Sequence, residues 1–234
     1  MKRKHILLFC ISLLFVSTSL LAQEEVETDS DTIPTPNEYG LRIGVDLAKP
    51  LRTLLEDGYT GFEVMADFRI TKKLYIAGEF GNEKSERIES NLSSKSTGSY
   101  LKIGADINAY NNWFGLNNAI YFGLRYGISQ FNQELLSYQI YDTNQTFPTT
   151  VNTERKEYTG LTANWIELIF GIKAEVLPHL FLSVNLQLKR KIAEDTPDNF
   201  NNLYIPGFNR TYDFSSFGVG YGYTISYLIP IFKK

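Results

Sequence analysis

The sequence predicts an all-β chain that forms an eight-stranded antiparallel up-and-down transmembrane β-barrel with a side-chain-filled lumen. In eight segments, apolar and polar side chains alternate with a period of two, as expected for strands whose two faces meet different surroundings. Short and long connections also alternate between these segments, which is typical of barrels with tight turns at one end and longer loops at the other. The 15 Tyr and 16 Phe among 234 residues favour strands as well.

The clearest alternation lies in residues 165–189, where apolar Ile166, Leu168 and Phe170 are interrupted by Glu167. This segment reverses direction near Pro178, so we interpret it as a hairpin that supplies the sixth and seventh strands. The other six predicted strands lie at residues 39–47, 62–70, 74–80, 100–108, 120–128 and 217–227.

The predicted connections separate into two kinds. Three are short, at residues 71–73, 111–117 and 177–179, and four are longer, at residues 49–58, 82–98, 131–160 and 191–213. If the barrel begins in the periplasm, all the short turns lie on the periplasmic side and all the long loops lie outside the cell.

The N-terminus has the pattern of a secretory signal peptide, which we place at residues 1–22. Three basic residues precede an apolar run from Ile6 to Val16, and the small residue Ala22 marks the preferred cleavage point, with cleavage after Ser19 as the alternative. We interpret residues 23–38 as an acidic, disordered periplasmic leader and residues 39–234 as the barrel. Cys10 would be removed with the signal peptide, so the mature chain would carry no thiol.

The composition of the polar face indicates which face of the barrel wall points into the lumen. A soluble eight-stranded barrel of the lipocalin type would turn its apolar face inward around a ligand. Here the polar face is rich in glycine, which suits a crowded interior, and its positive and negative charges nearly balance, as a confined lumen requires. We therefore predict that the polar face lines the lumen and that lipid covers the outside. The predicted lumen charge network contains Arg42, Asp46, Glu63, Asp67, Arg69, Glu79, Lys102, Asp106, Arg125, Glu167, Lys173 and Glu175.

The C-terminal segment ends with an aromatic residue, Phe232, close after Pro230. Proline is tolerated at a strand end. We expect Phe232 to form part of the signal that the barrel-assembly machinery reads. Aromatic residues near many other strand ends, Tyr39, Tyr110, Trp113, Phe114, Phe131, Tyr204, Phe208 and Phe214, support interfacial girdles in the same way.

Catalytic and metal-binding chemistry is not indicated. The mature chain would retain one histidine, His179, beside Pro178 in a predicted turn, and no nucleophile and base form a triad-like pattern around it. One histidine without cysteine also excludes the usual zinc sites. We therefore predict no enzyme activity, no catalytic residue, no metal and no cofactor. The formal charge of −3 argues against nucleic acid as a partner.

The last long loop contains a possible binding surface formed by Tyr204, Phe208, Arg210 and Tyr212. An arginine among aromatic rings could bind a sugar or an anionic lipid head group. The same residues could instead pin the loop over the mouth of the barrel, and we favour this second interpretation. The loop at residues 131–160 is long enough to carry a surface of its own.

Four segments resemble a family of uncharacterised outer-membrane β-barrel proteins from Bacteroidota, known as a domain of unknown function. They are residues 39–63, IYFGLRYG at 120–127, NLYIPGFNRTYD at 202–213 and the C-terminal YTISYLIPIFKK. The resemblance implies an outer membrane of a Gram-negative cell envelope as the location. It transfers no catalytic or ligand-binding residue.

Two functional hypotheses follow from the sequence. The first is an integral outer-membrane protein with a structural or loop-mediated binding role, in contact with outer-membrane lipid and with an extracellular glycan or protein as a possible ligand. The alternative is a small outer-membrane channel or transporter.

Overall fold

The computed structural model describes residues 38–89, 91–110, 117–139, 151–198 and 200–233. The predicted signal peptide and acidic leader lie outside these ranges, apart from Glu38, which begins the first strand. The elements in chain order are β1 (Glu38–Asp46), α1 (Ala48–Leu55), β2 (Tyr59–Arg69), β3 (Leu74–Ile88), β4 (Leu92–Asn108), β5 (Ala119–Gln139), β6 (Val151–Asn152), β7 (Lys156–Leu177), β8 (Leu180–Glu194), β9 (Tyr204–Ile205), β10 (Asn209–Arg210) and β11 (Phe217–Lys233).

Eight of these strands form a closed antiparallel ring. Each of β1, β2, β3, β4, β5, β7, β8 and β11 pairs with the next in this order. The last strand returns to the first, with Gly44 opposite Ser226. Closure pairs the edges that an open sheet would expose. The predicted eight-stranded up-and-down barrel is therefore confirmed.

The two faces of the barrel wall are chemically opposite. On the outside, Phe122, Leu168 and Leu186 are each more than half exposed. On the inside of the same wall, Glu167 and Lys189 are almost completely buried. The chain thus turns its apolar face out and its polar face in, as predicted, which is the reverse of a soluble ligand-binding barrel.

Glycine on the inner face makes room for large rings. A Cβ atom added to Gly171 would lie 2.6 Å from the Tyr121 ring, and one added to Gly127 would overlap the ring of Trp165. Such distances are far below van der Waals contact, so neither position accepts a side chain without displacement of its neighbour. The inside of the barrel is filled by side chains, as the sequence predicts.

Two predicted short turns are present, both at one end of the barrel, which we call the inner end; the opposite end is called the outer end. One joins Arg69 to Leu74, and its Thr71 hydroxyl accepts the backbone N–H groups of Lys73 and Leu74. The other joins β7 to β8, with His179 in the left-handed region at φ 66°. The third predicted turn, at residues 111–117, lies outside the described residues except for Asn117.

The predicted long loops are the main correction. The predicted loop at 82–98 is mostly strand, since β3 continues to Ile88 and β4 begins at Leu92. Likewise β5 continues to Gln139 and β7 begins at Lys156. Beyond the apolar band, both faces of these strands carry polar residues, so the period-two contrast fades while the backbone pairing continues.

The predicted loop at residues 49–58 is largely a short helix, α1. The carboxylate of Asp46 accepts the N–H of Ala48 at the start of this helix, which satisfies one of the free N–H groups of a first turn. In the described part of the chain, no helix is long and apolar enough to cross a bilayer.

Several aromatic residues expected in interfacial girdles lie inside instead. A register shift between Tyr39 and Gly40 buries Tyr39, which stacks on Phe232 with ring centroids 5.0 Å apart. Tyr204 and Phe208 are also buried, because the chain segment that carries them folds into the barrel mouth. The residues Trp113 and Phe114 lie outside the described residues.

Candidate functional site

The lumen brings together most of the charges that the sequence singles out. The structure buries eleven of the predicted network residues, Arg42, Asp46, Glu63, Asp67, Arg69, Glu79, Lys102, Asp106, Arg125, Glu167 and Lys173. Glu175 is the exception. Its carboxylate accepts the backbone N–H groups of Asn117 and His179, so it ties two inner turns together and is not part of the lumen network.

At the centre of the lumen, one ammonium group faces three carboxylates. The Nζ atom of Lys102 lies 2.6 Å from Glu79, 3.3 Å from Glu63 and 3.7 Å from Glu167. All four residues lie on barrel strands, at the alternate positions whose side chains face the lumen. Their mutual attraction offsets the large cost of removing each charge from water.

Neutral donors complete this central cluster. The Tyr100 hydroxyl donates to Glu63 at 2.6 Å, and the Trp165 indole N–H donates to Glu167 at 3.2 Å. Arg125 extends the cluster by contacting Glu79 at 3.2 Å. Hydrogen bonds to charged groups are stronger than those between neutral groups, so these donors add to the fixed geometry.

A second cluster lies towards the inner end of the barrel. The carboxylate of Asp67 accepts from Lys173 at 2.7 Å and lies 3.7 Å from Arg42. The Arg42 guanidinium stacks 4.3 Å from the centroid of the Phe181 ring, an arrangement favoured by the negative face of the ring. This end of the lumen is therefore filled by charge pairs and rings.

The buried charges balance in number. Among the described residues, seven buried cations, Arg42, Lys49, Arg69, Lys102, Arg125, Lys173 and Lys189, match seven buried anions, Asp46, Glu63, Asp67, Glu79, Glu83, Asp106 and Glu167. A low-dielectric interior tolerates charge only when it is paired. The network can support the barrel wall from within.

The outer mouth is organised around a residue that the sequence reasoning missed, Glu83. Its carboxylate is fully buried and accepts the Tyr59 hydroxyl at 2.8 Å, the Tyr204 hydroxyl at 2.8 Å and the Gly207 N–H at 2.9 Å. It also forms an ion pair with Lys49 of α1. Burial and the charge of Glu83 raise the pKa of Tyr204 well above its ordinary value, so the phenol remains a donor.

The segment that Glu83 holds is residues 204–210, here called the mouth hairpin, which contains β9 and β10. Its Ile205 and Phe208 are buried, and the Phe208 ring packs edge-on against Trp165 with centroids 6.0 Å apart. Lys189 donates to the carbonyl of Gly207 at 2.7 Å. The mouth hairpin thus fills the outer end of the lumen with apolar side chains and backbone contacts.

The structure divides the predicted loop surface into two parts. Tyr204 and Phe208 face inward and belong to the mouth hairpin's buried side. Arg210 and Tyr212 stay accessible, with the Arg210 guanidinium 2.8 Å from Glu89 and 5.5 Å from the centroid of the Tyr212 ring. The four residues therefore do not form one exposed surface, because the hairpin reverses at Gly207, where φ is 80°.

A signal for Glu83 is present in the sequence. Glu79 is correctly assigned to the inner face, and residues 81, 83 and 85 share its parity along β3. Because the predicted strand ends at Phe80, the prediction does not include Glu83 in the inner face. Lys49 has no comparable signal, since its burial depends on how α1 packs beside the barrel.

The outer rim carries a separate small aromatic pocket, here called the rim pocket. It has a volume of about 230 Å³ and lies between the outer ends of β4, β5 and β7 on one side and Asp198 and Phe200 on the other. Tyr158 packs edge-on against Phe200, with centroids 5.6 Å apart, and Asn152 donates to the Tyr138 hydroxyl at 2.8 Å. Its lining residues are Leu92, Leu135, Tyr138, Lys156, Tyr158, Asp198 and Phe200.

The predicted assembly signal, Phe232, and the predicted turn residue His179 lie near the inner end. Phe232 is half exposed near the end of β11, and its ring is accessible on the side away from Tyr39. The carbonyl of His179 accepts the N–H of Leu228, and its ring packs edge-on against Tyr227. Within the described ranges, no three His, Cys, Asp or Glu residues are placed to hold a metal ion.

Comparisons with known proteins identify a family but no activity. The family model described as a domain of unknown function (DUF6048) matches residues 5–234. No curated protein matches the chain.

Two solved structures match the chain at low sequence identity. Neisserial surface protein A is 9% identical, with a TM-score of 0.40, over 82% of this chain and 96% of that one. A major outer membrane protein from Thermus thermophilus is 14% identical, with a TM-score of 0.39, over 82% of this chain and 98% of that one. At these TM-scores, the likenesses carry no argument about function.

Proposed function

This chain belongs to the DUF6048 family of domains of unknown function, and we propose that it is an integral outer-membrane β-barrel protein. In this proposal the lumen is a structural core, and the outer rim binds an extracellular glycan or protein. The observation that carries the membrane assignment is the exposed apolar band on the outside of the closed barrel.

The apolar band surrounds the barrel. Every barrel strand contributes large apolar side chains that are more than 40% exposed, including Ile43, Phe62, Ile76, Ile103, Phe122, Leu168, Val184 and Tyr223. An exposed apolar surface of this extent would drive aggregation in water. Hydrocarbon accommodates it, and the ring of paired strands satisfies most of the membrane-facing backbone groups, as a bilayer requires.

The location and the route of export are part of the proposal. The basic and apolar pattern of residues 1–22 supports export by a signal peptide, and the resemblance to barrels from Bacteroidota supports a Gram-negative outer membrane. The accessible ring of Phe232 at the end of β11 supports its recognition by the barrel-assembly machinery. With the N-terminus in the periplasm, this proposal assigns the mouth hairpin and the rim pocket to the outer side of the membrane.

The interior favours a structural role over conduction. Ion pairs of Lys102 and Arg125 bridge different strands across the central lumen, and the mouth hairpin fills the outer end. An eight-stranded interior is just wide enough for its own side chains. A small channel is therefore the second candidate, and it requires both regions to rearrange.

The rim pocket is the best candidate for ligand binding. The rings of Tyr138, Tyr158 and Phe200 provide apolar faces, and Asp198 and Lys156 provide polar groups at the edge. A concave surface with aromatic walls and a few polar groups is the usual form of a small ligand site. The same chemistry suits the ring faces and hydroxyl groups of a glycan.

Detergent dependence tests the membrane assignment. The mature protein should need detergent or lipid to remain monodisperse, and its unheated form should migrate differently from its heated form on a denaturing gel. A monodisperse species in plain buffer would overturn the proposal.

Binding and conduction are tested separately. In planar bilayers the wild-type protein should show no steady single-channel conductance, whereas regular openings would favour the channel. On a glycan array, Tyr158→Ala should weaken any glycan signal about tenfold or more, the effect of losing one aromatic anchor. The exposed-site variant Arg155→Gln serves as the matched control.

A further inference from the structure

The barrel wall is uneven beside its first strand. β1 ends at Asp46, opposite Thr224, while β11 continues outward to Phe217. Beyond Thr224, the backbone contact from the β1 side is the N–H of Leu47, which donates to Tyr223. On this side, the outer part of β11 therefore borders α1 and the mouth hairpin, and β1 does not extend far enough to pair with it.

This interruption in the wall contains a pocket of about 370 Å³, here called the lateral pocket. Its polar side is formed by α1, the mouth hairpin and β3, with the residues Ala48, Lys49, Arg52, Glu56, Arg87, Asn209 and Arg210. Its apolar side is formed by β8 and β11, with the residues Leu186, Val219, Gly220 and Tyr221. Its volume is at the lower end of the range for ligand sites.

The polar side of the lateral pocket is cationic. Of its four cations, Arg52 forms a two-point pair with Glu56 at 2.9 and 3.0 Å. The hydrogen bond between them lowers the pKa of Glu56, so both groups are charged at neutral pH. Lys49 and Arg210 pair with Glu83 and Glu89.

The fourth cation, Arg87, differs from the other three in its lack of a charged partner among the described residues. Within the described residues it has no ion pair, and its buried Nε atom has no hydrogen-bond partner. Its guanidinium lies 5.5 Å from the centroid of the Tyr204 ring, within the range of a cation–π contact. The Arg87 side chain is only partly buried and lines the pocket, so the charge of an anionic ligand there would offset the cost of this unpartnered cation.

The other side of the lateral pocket is apolar and continuous with the outside of the barrel. Leu186 and Val219 are 63% and 71% exposed, and Tyr221 beside them is half exposed. These residues belong to the outer face that we assign to lipid. A molecule with an anionic head and a hydrocarbon tail matches both sides, because its head meets the arginines while its tail lies along the wall.

We infer that the lateral pocket binds the phosphate group of an anionic lipid, with Arg87 as the main anchor and Arg52 and Arg210 as additional donors. Arginine suits phosphate because its planar guanidinium offers paired donors. This inference rests on the proposed membrane location. A soluble phosphate would use the arginines alone and would leave the adjoining apolar wall without a role.

Native mass spectrometry of the detergent-purified full chain tests the inference. Phosphatidic acid and phosphatidylglycerol should remain bound, and phosphatidylcholine should bind at least about fivefold more weakly because its head group has no net charge. Arg87→Gln should weaken binding of the anionic lipids about tenfold, as expected for a lost charge-assisted hydrogen bond.

Two further variants separate recognition from folding. Glu56→Gln removes the competing carboxylate and should tighten anionic-lipid binding several-fold, a gain that damage to the fold would not produce. The matched control is Arg155→Gln, which removes a guanidinium that is paired with Glu134 far along the rim, and it should leave lipid binding unchanged.

The outcomes are distinguishable. Equal retention of anionic and zwitterionic lipids, or an equal loss in Arg87→Gln and Arg155→Gln, would overturn the lipid site while the barrel still shows heat-dependent gel mobility. Displacement of phosphatidic acid by millimolar inorganic phosphate would instead identify a free-anion site and also overturn it. Loss of detergent dependence would overturn the membrane assignment itself.

Discussion

The central lumen and the outer mouth are closed in different ways. In the central lumen, charged side chains from the barrel strands bridge one another, as Lys102 does with Glu63 and Glu79. At the mouth, the closing element is the mouth hairpin, a segment outside the barrel ring that Glu83 fastens with hydrogen bonds. We therefore expect the central charges to contribute to the stability of the whole barrel, and the mouth hairpin to open while the barrel remains intact.

The largest effect should come from Lys102→Met in the central lumen. Three carboxylates would lose their shared cation, and breaking a buried pair on one side costs about 3–5 kcal/mol of unfolding free energy. Equilibrium unfolding in detergent or lipid vesicles, followed by the loss of β-sheet circular dichroism, measures this change.

The control for this substitution is Lys84→Met, which removes an exposed lysine from the same sheet. It should change the unfolding free energy by less than about 0.5 kcal/mol. Equal destabilisation by the two variants would show that the central charge cluster has no special part in the barrel's stability.

A smaller and more local effect is expected for Glu83→Gln. The side chain keeps its shape but loses its charge, which leaves Lys49 without its buried counter-ion and weakens the bonds from Tyr204 and Gly207. Because the substituted amide keeps one oxygen that accepts hydrogen bonds, the cost is about 1–3 kcal/mol, less than the complete loss of the charged partner at Lys102. Hydrogen exchange should accelerate in the mouth hairpin, residues 204–210, while the barrel strands keep their protection.

Glu86→Gln, three positions further along the same strand and exposed, is the matched variant. Its exchange pattern should resemble the wild type. If Glu83→Gln instead destabilised all strands uniformly, the distinction between mouth and centre would not hold.

Packing against the mouth is tested by Gly127→Ala. The added methyl group overlaps the Trp165 ring, so the ring that supports Phe208 must move. Overpacking of this kind costs about 1–3 kcal/mol. Tryptophan fluorescence and the unfolding midpoint report both the movement and the cost.

Gly78→Ala provides the comparison for this variant. The nearest atom to its new Cβ would be the Lys102 carbonyl oxygen at 3.7 Å, an ordinary contact, so little change is expected. A cost at Gly78 as large as at Gly127 would refute the claim that ring packing requires glycine inside.

The smallest effect is expected for Arg210→Gln on the outer side of the mouth hairpin. Arg210 and Glu89 are both largely exposed, and such pairs contribute about 0.2–1 kcal/mol that salt further reduces. Unfolding measured at low and high ionic strength should show the difference narrowing. A loss above about 2 kcal/mol would mean that Arg210 holds the mouth closed, contrary to its exposure.

Prediction from the sequence succeeded where one face of a strand differed sharply from the other. Arg42, Glu79 and Glu167 were assigned inward because apolar neighbours flanked them at alternate positions. It failed at the ends of those strands. Glu83 belongs to the same inward row as Glu79, but polar residues on both faces removed the contrast on which the assignment depended.

The eight-stranded barrel, the inward polar face and the charge-balanced lumen are all predictable from the sequence, because alternation along a strand is a local property of neighbouring residues. Three features become visible only in the folded chain: Lys49 is buried, the mouth hairpin enters the barrel, and Arg52, Arg87 and Arg210 share a pocket. These residues come from segments far apart in the chain. Ring closure and loop packing bring these segments together, and no local sequence pattern indicates which distant segments will meet.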